Sequence, residues 1–399
     1  MVPPRDEYVT VPSASYRLAE LARYFLYLGA AGFGGPVALV EYMHRDLVDR
    51  REWITDDEYR EGLALANLSP GPLAAQLAIY LGFVHYRYIG ASLVAVAFVL
   101  PSFLMVIGIG WAYQRFGGLP AMQAVFYGVG AAIIGIIAWS AHRLTRKTIK
   151  GDPLLWIIFF VMAAITAITE TERVELFPLA GLVVWAARSL RLRGQDQGTT
   201  AAFLLPISLA VETTAGGTAP TSGLTDIFWF FLKAGALVFG SGLAIVPFLY
   251  GGVVGGYGWL DAQQFLDAVA VAMITPGPVV ITTGFIGYLV AGFPGAIVAA
   301  IATFLPAYLF TVLPAPYFRK YGRRPSLAAI ADGVTAAAIG AITGAVIVLG
   351  RHAIIDVPTL ILASTALLIL WKSPRRIPEP VIVAGAAVAG LILYPIVTG

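Results

Sequence analysis

Two short segments place a glycine between prolines within apolar sequence: SPGP at 69–72 and TPGP at 275–278. Proline lacks a backbone N–H and disfavours helix at the residue before it, so each segment should interrupt a helix. The helix that restarts after the second proline exposes its first N–H groups and the positive end of its dipole, an arrangement that binds anions. The spacing therefore predicts that two broken helices supply backbone donors to an anion. The backbone contributors predicted here are Gly71, Pro72, Gly277 and Pro278.

A second pair of breaks has the same character. FGGP at 33–36 and FGSG at 239–242 interrupt apolar segments with glycines, which let backbone approach a ligand or another helix closely. The alternative is that the glycines mediate helix packing and the prolines merely kink helices. Because the breaks recur at matched positions, we favour a shared binding site near the membrane middle. The predicted contributors are Gly34, Gly35, Pro36, Gly240, Ser241 and Gly242.

Polar side chains near the breaks are candidate ligands. Asn67, Ser69 and Thr275 flank the PGP segments and would donate hydrogen bonds to an oxyanion, or equally would cap the half-helices. Lys233 lies well inside the first apolar helix of the second half of the chain. A buried ammonium there suits an anion site, and the alternative is that the side chain snorkels to the cytoplasmic interface.

Three carboxylates are candidates for proton coupling. Glu61 and Asp267 each lie nine residues before the first proline of a PGP segment, and Glu41 follows Pro36 by five residues. Acids beside broken membrane helices carry protons in coupled transport. The alternative is that Glu61 and Asp267 mark the water-facing start of a half-helix and that Glu41 marks the cytoplasmic end of its helix.

The composition defines the elements that must position these residues. Of 399 residues, 58% are hydrophobic and 12% are charged, whereas soluble domains carry about 25% charged residues. Several segments without Asp, Glu, Lys or Arg approach the ~20 residues that cross a membrane as a helix, and none alternates with the period of a β-barrel strand. We therefore predict an all-α polytopic membrane protein whose surroundings are the lipid bilayer. The segments are 93–109, 121–140, 154–168, 296–313, 336–349 and 381–397.

The chain contains an internal repeat. At an offset of 206 residues FGGP falls on FGSG and the first PGP falls on the second, and after one deletion Pro101 falls on Pro306. Matched halves of this kind are common in transporters. The repeat predicts an amino-terminal transmembrane domain at 16–192, a cytoplasmic linker at 193–223 and a homologous carboxy-terminal transmembrane domain at 224–399.

Loop charge indicates that the two halves have opposite orientations. Four arginines lie in the loop before the first PGP, whereas the matching loop 251–264 has no Lys or Arg. The basic stretch 319–324 matches a first-half loop that contains only Arg115. Because basic loops stay in the cytoplasm, the halves are predicted to be inverted repeats. Each would have about five crossings and one re-entrant helical hairpin around its PGP, with both termini outside.

Other functional classes have less support. The net charge is +3 and the basic residues cluster in loops, which indicates membrane topology and no nucleic-acid binding. Cysteine is absent and the four histidines show no ligand spacing, so we predict no metal site and no cofactor. Without a GxxxxGK[ST] motif, energy should come from an ion gradient or from the substrate gradient. A membrane-embedded enzyme or a scaffold subunit is a further hypothesis, which no HExxH or GxSxG motif supports.

The stretches FGGP, WITDDEY and PGPLAAQLAIYLG, with FGSG, GW and PGP repeated later, resemble the chromate ion transporter family in its two-domain, long-chain form. The resemblance covers nearly the whole chain. It implies an inner-membrane secondary transporter that exports chromate, with sulfate as the related anion, and that is coupled to protons; a homodimer is left open. By motif position, the family's FGGP carries onto Phe33–Pro36, and its PGP carries onto Pro70–Pro72 and Pro276–Pro278.

One departure from the family pattern keeps an alternative open. The second-half FGGGH pattern of the family reads FGSGL at 239–243 in this sequence, so its histidine is missing. A channel or transporter for another small anion on the same scaffold is therefore the alternative function.

Overall fold

The computed structural model describes residues 16–33, 35–170, 173, 176–193, 223–238, 242, 245–321, 325–372 and 377–398. Every regular element in these ranges is helical. The α-helices are α1 (Leu18–Ala31), α2 (Gly35–Met43), α3 (Asp56–Leu68), α4 (Leu73–Phe116), α5 (Pro120–Thr148), α6 (Pro153–Thr169), α7 (Leu176–Arg193), α8 (Leu224–Ala236), α9 (Ile245–Tyr250), α10 (Ala262–Ile274), α11 (Thr282–Val312), α12 (Ala315–Tyr321), α13 (Pro325–Ala353), α14 (Val357–Lys372) and α15 (Glu379–Thr398).

Five helical spans in the described part of the chain are long and apolar enough to cross a membrane, and shorter apolar helices accompany them. Their length follows from runs of Leu, Val, Ile, Ala and Gly that lack charge. The protein is therefore an all-helical polytopic membrane protein. The five spans are Leu73–Phe116, Pro120–Thr148, Val279–Phe318, Ala328–Ala353 and Glu379–Val397.

The two halves repeat their local structure. π-helical turns follow α2 at His44–Arg50 and α9 at Gly251–Gly256. The next helix begins with a capping box in both halves, Thr55 with Glu58 before α3 and Asp261 with Gln264 before α10. Such boxes satisfy two otherwise unpaired N–H groups and fix where a helix starts. Residues 194–222 lie outside the described ranges, so the linker between the halves stays a prediction.

The SPGP segment interrupts the helix as the prolines require: α3 ends at Leu68 and α4 begins at Leu73. The chain then folds back, because Gly62 packs against the ring of Tyr80 and the Glu58 Oε1 lies 3.3 Å from the His85 Nε2. Helix α3 and residues 73–86 therefore form a helical hairpin with the proline break at its tip.

Helix α4 reverses direction a second time at Arg87, which has φ 53°. The reversal brings Gly82 and Gly90 into backbone contact, closer than two side chains would allow. The second half repeats this turn at Gly292 (φ 61°), where Gly287 meets Gly295. Helices α4 and α11 thus each consist of a first arm, which closes a hairpin, and a longer second arm.

A second hairpin in each half differs from the sequence-based expectation. We expected the FGGP segment to lie within a crossing, but α2 folds back on α1, where the Tyr24 hydroxyl donates to the Tyr42 carbonyl at 3.3 Å. In the second half Phe230 of α8 stacks on Phe248 of α9 with ring centroids 5.3 Å apart. Glycines permit a kink or a full reversal, and the hydrogen bond in the first half and the ring stacking in the second stabilise the reversal. Each half therefore has two hairpins where the sequence predicted one.

The open ends of the two first-half hairpins meet in one polar cluster. The Tyr16 hydroxyl lies 2.8 Å from the His85 Nδ1, and His85 in turn faces Glu58. The Tyr16 ring also stacks on Trp53 at 4.8 Å. This cluster joins four segments and lies away from both hairpin tips. The segments are the start of α1, the stretch after the π-helical turn, the start of α3 and the end of the first α4 arm.

The remaining helices exchange partners between the halves. Helices α6 and α7 pack against α13 of the second half, and α14 and α15 pack against α5 of the first half. Arg188 at the end of α7 bridges Asp332 on α13 at 2.7 Å and Asp152 before α6 at 3.2 Å. Partial burial opposes ionisation of Asp152, but the hydrogen bonds from Arg188 and from the Leu154 and Leu155 backbone, together with the charge of Arg188, lower the pKa of Asp152 below its usual value.

Candidate binding site at the hairpin tips

The hairpin tips of the two halves are joined by reciprocal hydrogen bonds. The Gly71 N–H donates to the Val238 carbonyl at 2.5 Å, and the Gly277 N–H donates to the Gly32 carbonyl at 2.9 Å. Val238 follows α8 and Gly32 follows α1. Each PGP glycine therefore closes the end of a helix that belongs to the other half.

Glycine is required at both tips for conformation and for space. Gly71 has φ 143° and Gly277 has φ 91°, values that residues with a β-carbon rarely adopt. A β-carbon on Gly71 would lie 2.6 Å from the Gln76 Nε2, and one on Gly277 would contact the Ser102 hydroxyl. The tips pack tightly enough to bring backbone from both halves together.

These bonds correct one part of the sequence-based hypothesis. The N–H groups of Gly71 and Gly277 are paired, so they do not serve as free donors to an anion. The free donors lie one step later, because Pro72 and Pro278 are the N-caps of the helical segments that follow. The first N–H groups of a helix have no partner within it, and here they belong to residues 73–75 and 279–280.

The FGGP and FGSG tips are described only in part. Gly34, Gly240 and Ser241 lie outside the described residues. Gly35 opens α2 with φ 73° and Pro36 is its second residue. A β-carbon on Gly35 would lie 3.7 Å from the Glu379 Oε2. In the second half, Gly242 is buried beside Val279 and Val280, which belong to the 3₁₀ turn Val279–Ile281 that leads directly into the first α11 arm.

The polar side chains that flank the breaks donate to backbone carbonyls. The Asn67 Nδ2 bonds to the Leu63 carbonyl at 2.7 Å, and the Thr275 Oγ1 bonds to the Val271 carbonyl at 3.0 Å. The Ser69 hydroxyl donates to the Phe310 carbonyl of the second half at 3.3 Å. Asn67 and Thr275 therefore bond back to their own helices, and Ser69 forms a link between the halves.

The predicted charged residues are dispersed. Lys233 is exposed on α8, which favours the interfacial alternative over a buried anion ligand, and Glu41 is exposed on α2. Glu61 is half-buried on α3. Asp267 is buried, 4% exposed, and accepts hydrogen bonds from the Tyr113 hydroxyl at 2.7 Å and the Gln263 Nε2 at 3.0 Å. Asp267 alone among these acids is enclosed by both halves.

The sequence reasoning missed two buried polar groups. One is the Glu58–His85–Tyr16 cluster; its only sequence signal is the capping-box pattern that starts at Thr55. The other is Gln76, whose signal is a single polar residue in the apolar run LAAQLAIYLG. Gln76 is fully buried, its Nε2 donates to the Pro70 carbonyl at 2.8 Å, and its Oε1 has no hydrogen-bond partner among the described residues. Within those residues, no group of three His, Asp or Glu side chains is placed to hold a metal ion.

Comparison with known proteins decides the family. A family model described as chromate transporter matches this chain twice, at residues 19–187 and 225–391. The chain belongs to the chromate transporter family. The double match corresponds to the two-domain, long-chain form of the family, with one matched region in each half of the repeat.

Curated members of the family match over nearly their whole length. The chain is 63% identical over 384 residues to the chromate transport protein of Cupriavidus metallidurans, with 96% of this chain and 94% of the relative covered. It is 59% identical to the probable chromate transport protein of Synechococcus elongatus, with 95% and 96% covered. It is 31% identical to the chromate transport protein of Pseudomonas aeruginosa, with 96% and 94% covered. No solved structure matches the chain.

The tip geometry of this family member predicts different costs for two glycine substitutions. Gly277→Ala should destabilise the protein by about 2–4 kcal/mol, because strain at positive φ and overpacking against Ser102 add together. Gly258→Ala is the matched control: Gly258 has φ 61° but open space around it, so strain alone should cost about 1–2 kcal/mol. Thermal unfolding of the purified proteins in detergent measures both, and equal losses would contradict the packing at the tip.

Proposed function

We propose that the protein is a secondary transporter that exports an oxyanion, chromate or sulfate, across the cell inner membrane. The observation that supports this proposal is the reciprocal bonding of each PGP tip to the opposite half, which holds the starts of two interrupted helices in buried surroundings. Membership of the chromate transporter family supports the substrate class, and the relatives bear the name of chromate transport proteins.

The anion would lie at the helix starts that follow the two PGP segments. The donors are the first N–H groups of the arms that begin at Leu73 and Val279, and both starts lie in buried surroundings. Helix N-termini favour negative charge through their free N–H groups and their dipole. The remaining site contributors predicted from the FGGP and FGSG segments would complete the binding site from the neighbouring hairpin tips.

We further propose that the halves are inverted repeats. The second arms of α4 and α11 run antiparallel. Ser92, near the start of the α4 arm, has its Oγ 2.8 Å from the hydroxyl of Tyr308, near the end of the α11 arm, and Gly110, near the end of the α4 arm, packs against Tyr288, just before the turn that starts the α11 arm. Two corresponding helices that cross a membrane in opposite directions are what inverted repeats require.

Contacts among the loops support a cytoplasmic end. The end of α5, which carries Arg143, Arg146 and Lys147, lies beside the end of α14, because His142 stacks on Trp371 at 5.4 Å. Arg188 ties the start of α6 to α13 and the end of α7 at the same end of the bundle. Concentrated Lys and Arg mark the cytoplasmic side.

Two hairpins in place of one change the expected topology. With two hairpins in the first half, α1 starts and α7 ends on the cytoplasmic side. Helix α8 starts on the opposite side. On that side Tyr250 lies near His352, at the end of α13. This differs from the sequence-based expectation of an external amino terminus and of a linker whose two ends are both cytoplasmic. The reason is that the α1–α2 segment returns to its own side, so each half has an even number of crossings.

Proton coupling is assigned to Asp267 within this proposal. Of Glu41, Glu61 and Asp267, only Asp267 is buried, and it receives hydrogen bonds from the second α4 arm and from its own helix. An ionisable side chain buried between membrane helices is expensive and is therefore expected to have a functional role.

The first test is chromate uptake into everted membrane vesicles, in which export appears as accumulation. Vesicles that contain the protein should accumulate chromate when their interior is made acidic, and vesicles without it should not. An absence of uptake under every imposed pH gradient, together with unchanged chromate sensitivity of the cells, would exclude chromate as the substrate.

Asp267→Asn should uncouple transport from the proton gradient. Asparagine keeps the shape of the side chain and the hydrogen bond from Tyr113, but it cannot release a proton. The acid-driven accumulation should therefore fall to the level without a gradient, while exchange of chromate at equal concentrations persists. Glu41→Gln, at an exposed position, is the control and should retain the acid-driven accumulation. Full coupling in Asp267→Asn would remove this assignment.

The inverted topology predicts opposite labelling at two equivalent repeat positions. Ala19 and Thr225 are both exposed in the first turn of α1 and α8, and the chain has no cysteine of its own. In intact cells an impermeant maleimide should label Thr225→Cys directly and Ala19→Cys only after permeabilisation. Labelling of both positions from the same side would contradict inverted repeats.

A further inference from the structure

Gln76 carries an unpaired hydrogen-bond acceptor in the interior of the protein. The side chain is 0% exposed, its Nε2 is engaged with the Pro70 carbonyl, and its buried Oε1 has no partner among the described residues. A buried acceptor without a partner costs free energy, so native proteins nearly always satisfy it with protein, water or ligand. The Gln76 oxygen therefore marks a place where a donor group is expected.

The position of Gln76 directs this acceptor to the first-half tip. Gln76 is the fourth residue of α4, one turn after the N-cap Pro72. Side chains on a helix point back towards its N-terminus, and the Gln76 carboxamide lies directly against Gly71. The carboxamide thus lies at the tip, one turn from the first N–H groups of the same helix, and its oxygen forms no hydrogen bond with them.

The second half shows that the tip forms without this acceptor. Counted from the N-cap proline at the same offset of 206, the residue equivalent to Gln76 is Thr282, which is also 0% exposed but whose hydroxyl is already paired with the Val279 carbonyl at 2.7 Å. The Gly277 N–H still bonds across to Gly32 there. A buried amide at only one of the two tips is therefore not a requirement of the tip architecture, and a role towards a ligand accounts for it better than a role in folding.

The combination of donors and acceptor defines the ligand. Several backbone N–H groups suit the acceptor oxygens of an anion, whereas the Gln76 Oε1 needs a donor. A fully deprotonated oxyanion offers only acceptors and would place oxygen against oxygen at this position. A singly protonated oxyanion offers several acceptor oxygens and one hydroxyl, which matches both.

We propose that the Gln76 Oε1 accepts a hydrogen bond from the hydroxyl of a protonated oxyanion, so that the site selects the hydrogen form of the anion over the dianion. This inference rests on the proposed function and specifies the protonation state of its substrate. Gln76 is then a specificity-determining residue of the first-half tip.

Several protein groups on the surrounding elements also take up or release protons, and their effect on anion affinity must be distinguished from protonation of the anion itself. They are Glu58, Tyr59 and Glu61 on α3, Tyr80, His85 and Tyr86 on the first α4 arm, Lys233 on α8, and Tyr308 and Tyr317 on α11 and α12. Any of these groups would change the affinity for every anion in the same direction. Two anions that differ in their own protonation therefore distinguish the two causes.

The test is equilibrium binding of chromate and of sulfate to the purified full-length protein in detergent between pH 6 and pH 8. Chromate takes up a proton near neutral pH, whereas sulfate remains a dianion throughout. The apparent affinity for chromate should fall about tenfold for each pH unit above the chromate pKa, because the protonated fraction falls by that factor. Sulfate should bind more weakly than chromate at pH 6 and with little dependence on pH.

Gln76→Leu removes the acceptor while it keeps an apolar side chain of similar size. It should lower the preference for chromate over sulfate at pH 6 by about tenfold and flatten the pH dependence of chromate binding. Thr283→Val is the matched control, because Thr283 is equally buried in the first α11 arm and its hydroxyl is already paired with the Val280 carbonyl. Thr283→Val should keep the preference and the pH dependence of the wild type.

Results that overturn the inference are distinct from those that overturn the function. Chromate binding without pH dependence, or sulfate binding as tight as chromate at pH 6, would show that a water molecule and not a ligand hydroxyl satisfies Gln76. These measurements use the wild-type protein, so they decide the question even when Gln76→Leu does not fold. A wild-type protein that neither binds nor transports any oxyanion would instead overturn the proposed function.

Discussion

The structure depends on the bond that each PGP glycine donates to the end of a helix in the opposite half. Backbone groups buried in a membrane must be paired, and a helix that stops midway leaves carbonyls without partners. Gly71 and Gly277 supply the missing donors across the molecular centre. The interrupted helices are therefore stable only together, because the glycine at each break donates a hydrogen bond to a helix end in the opposite half.

The two halves share a backbone plan and differ in their polar groups. The open end of the first-half hairpins is polar, with Glu58 and His85, whereas Tyr257, Trp259 and Phe230 form the aromatic contacts of the second half. Gln76 and Asp267 are buried, whereas their equivalents are Thr282, whose hydroxyl is paired with its own backbone, and Glu61, which is only half-buried. Under the proposed function, substrate recognition would fall to the first half through Gln76, and proton exchange to the second through Asp267.

The features that the sequence predicted have local causes. The two prolines alone predict the break between Leu68 and Leu73, because proline ends a helix. The repeat can be recognised because matched residues keep nearly the same spacing in the two halves. The reversal between α1 and α2 was not predictable, because glycine allows a kink as well as a turn and the packing of Tyr24 near Tyr42 decides between them. The pairing of the Gly71 N–H and the unpaired Gln76 oxygen were also hidden, since both depend on contacts distant in sequence.

The exchange of partners between the halves has a consequence for how such a chain holds together. Helices α6 and α7 cover α13, and α14 and α15 cover α5, so these two long helices are enclosed by the opposite half. A half produced alone would present a wide apolar, glycine-rich face that only a complementary half can cover. The duplicated chain therefore behaves as one interlocked unit, and a protein with a single repeat would have to recruit a second subunit before it could be stable.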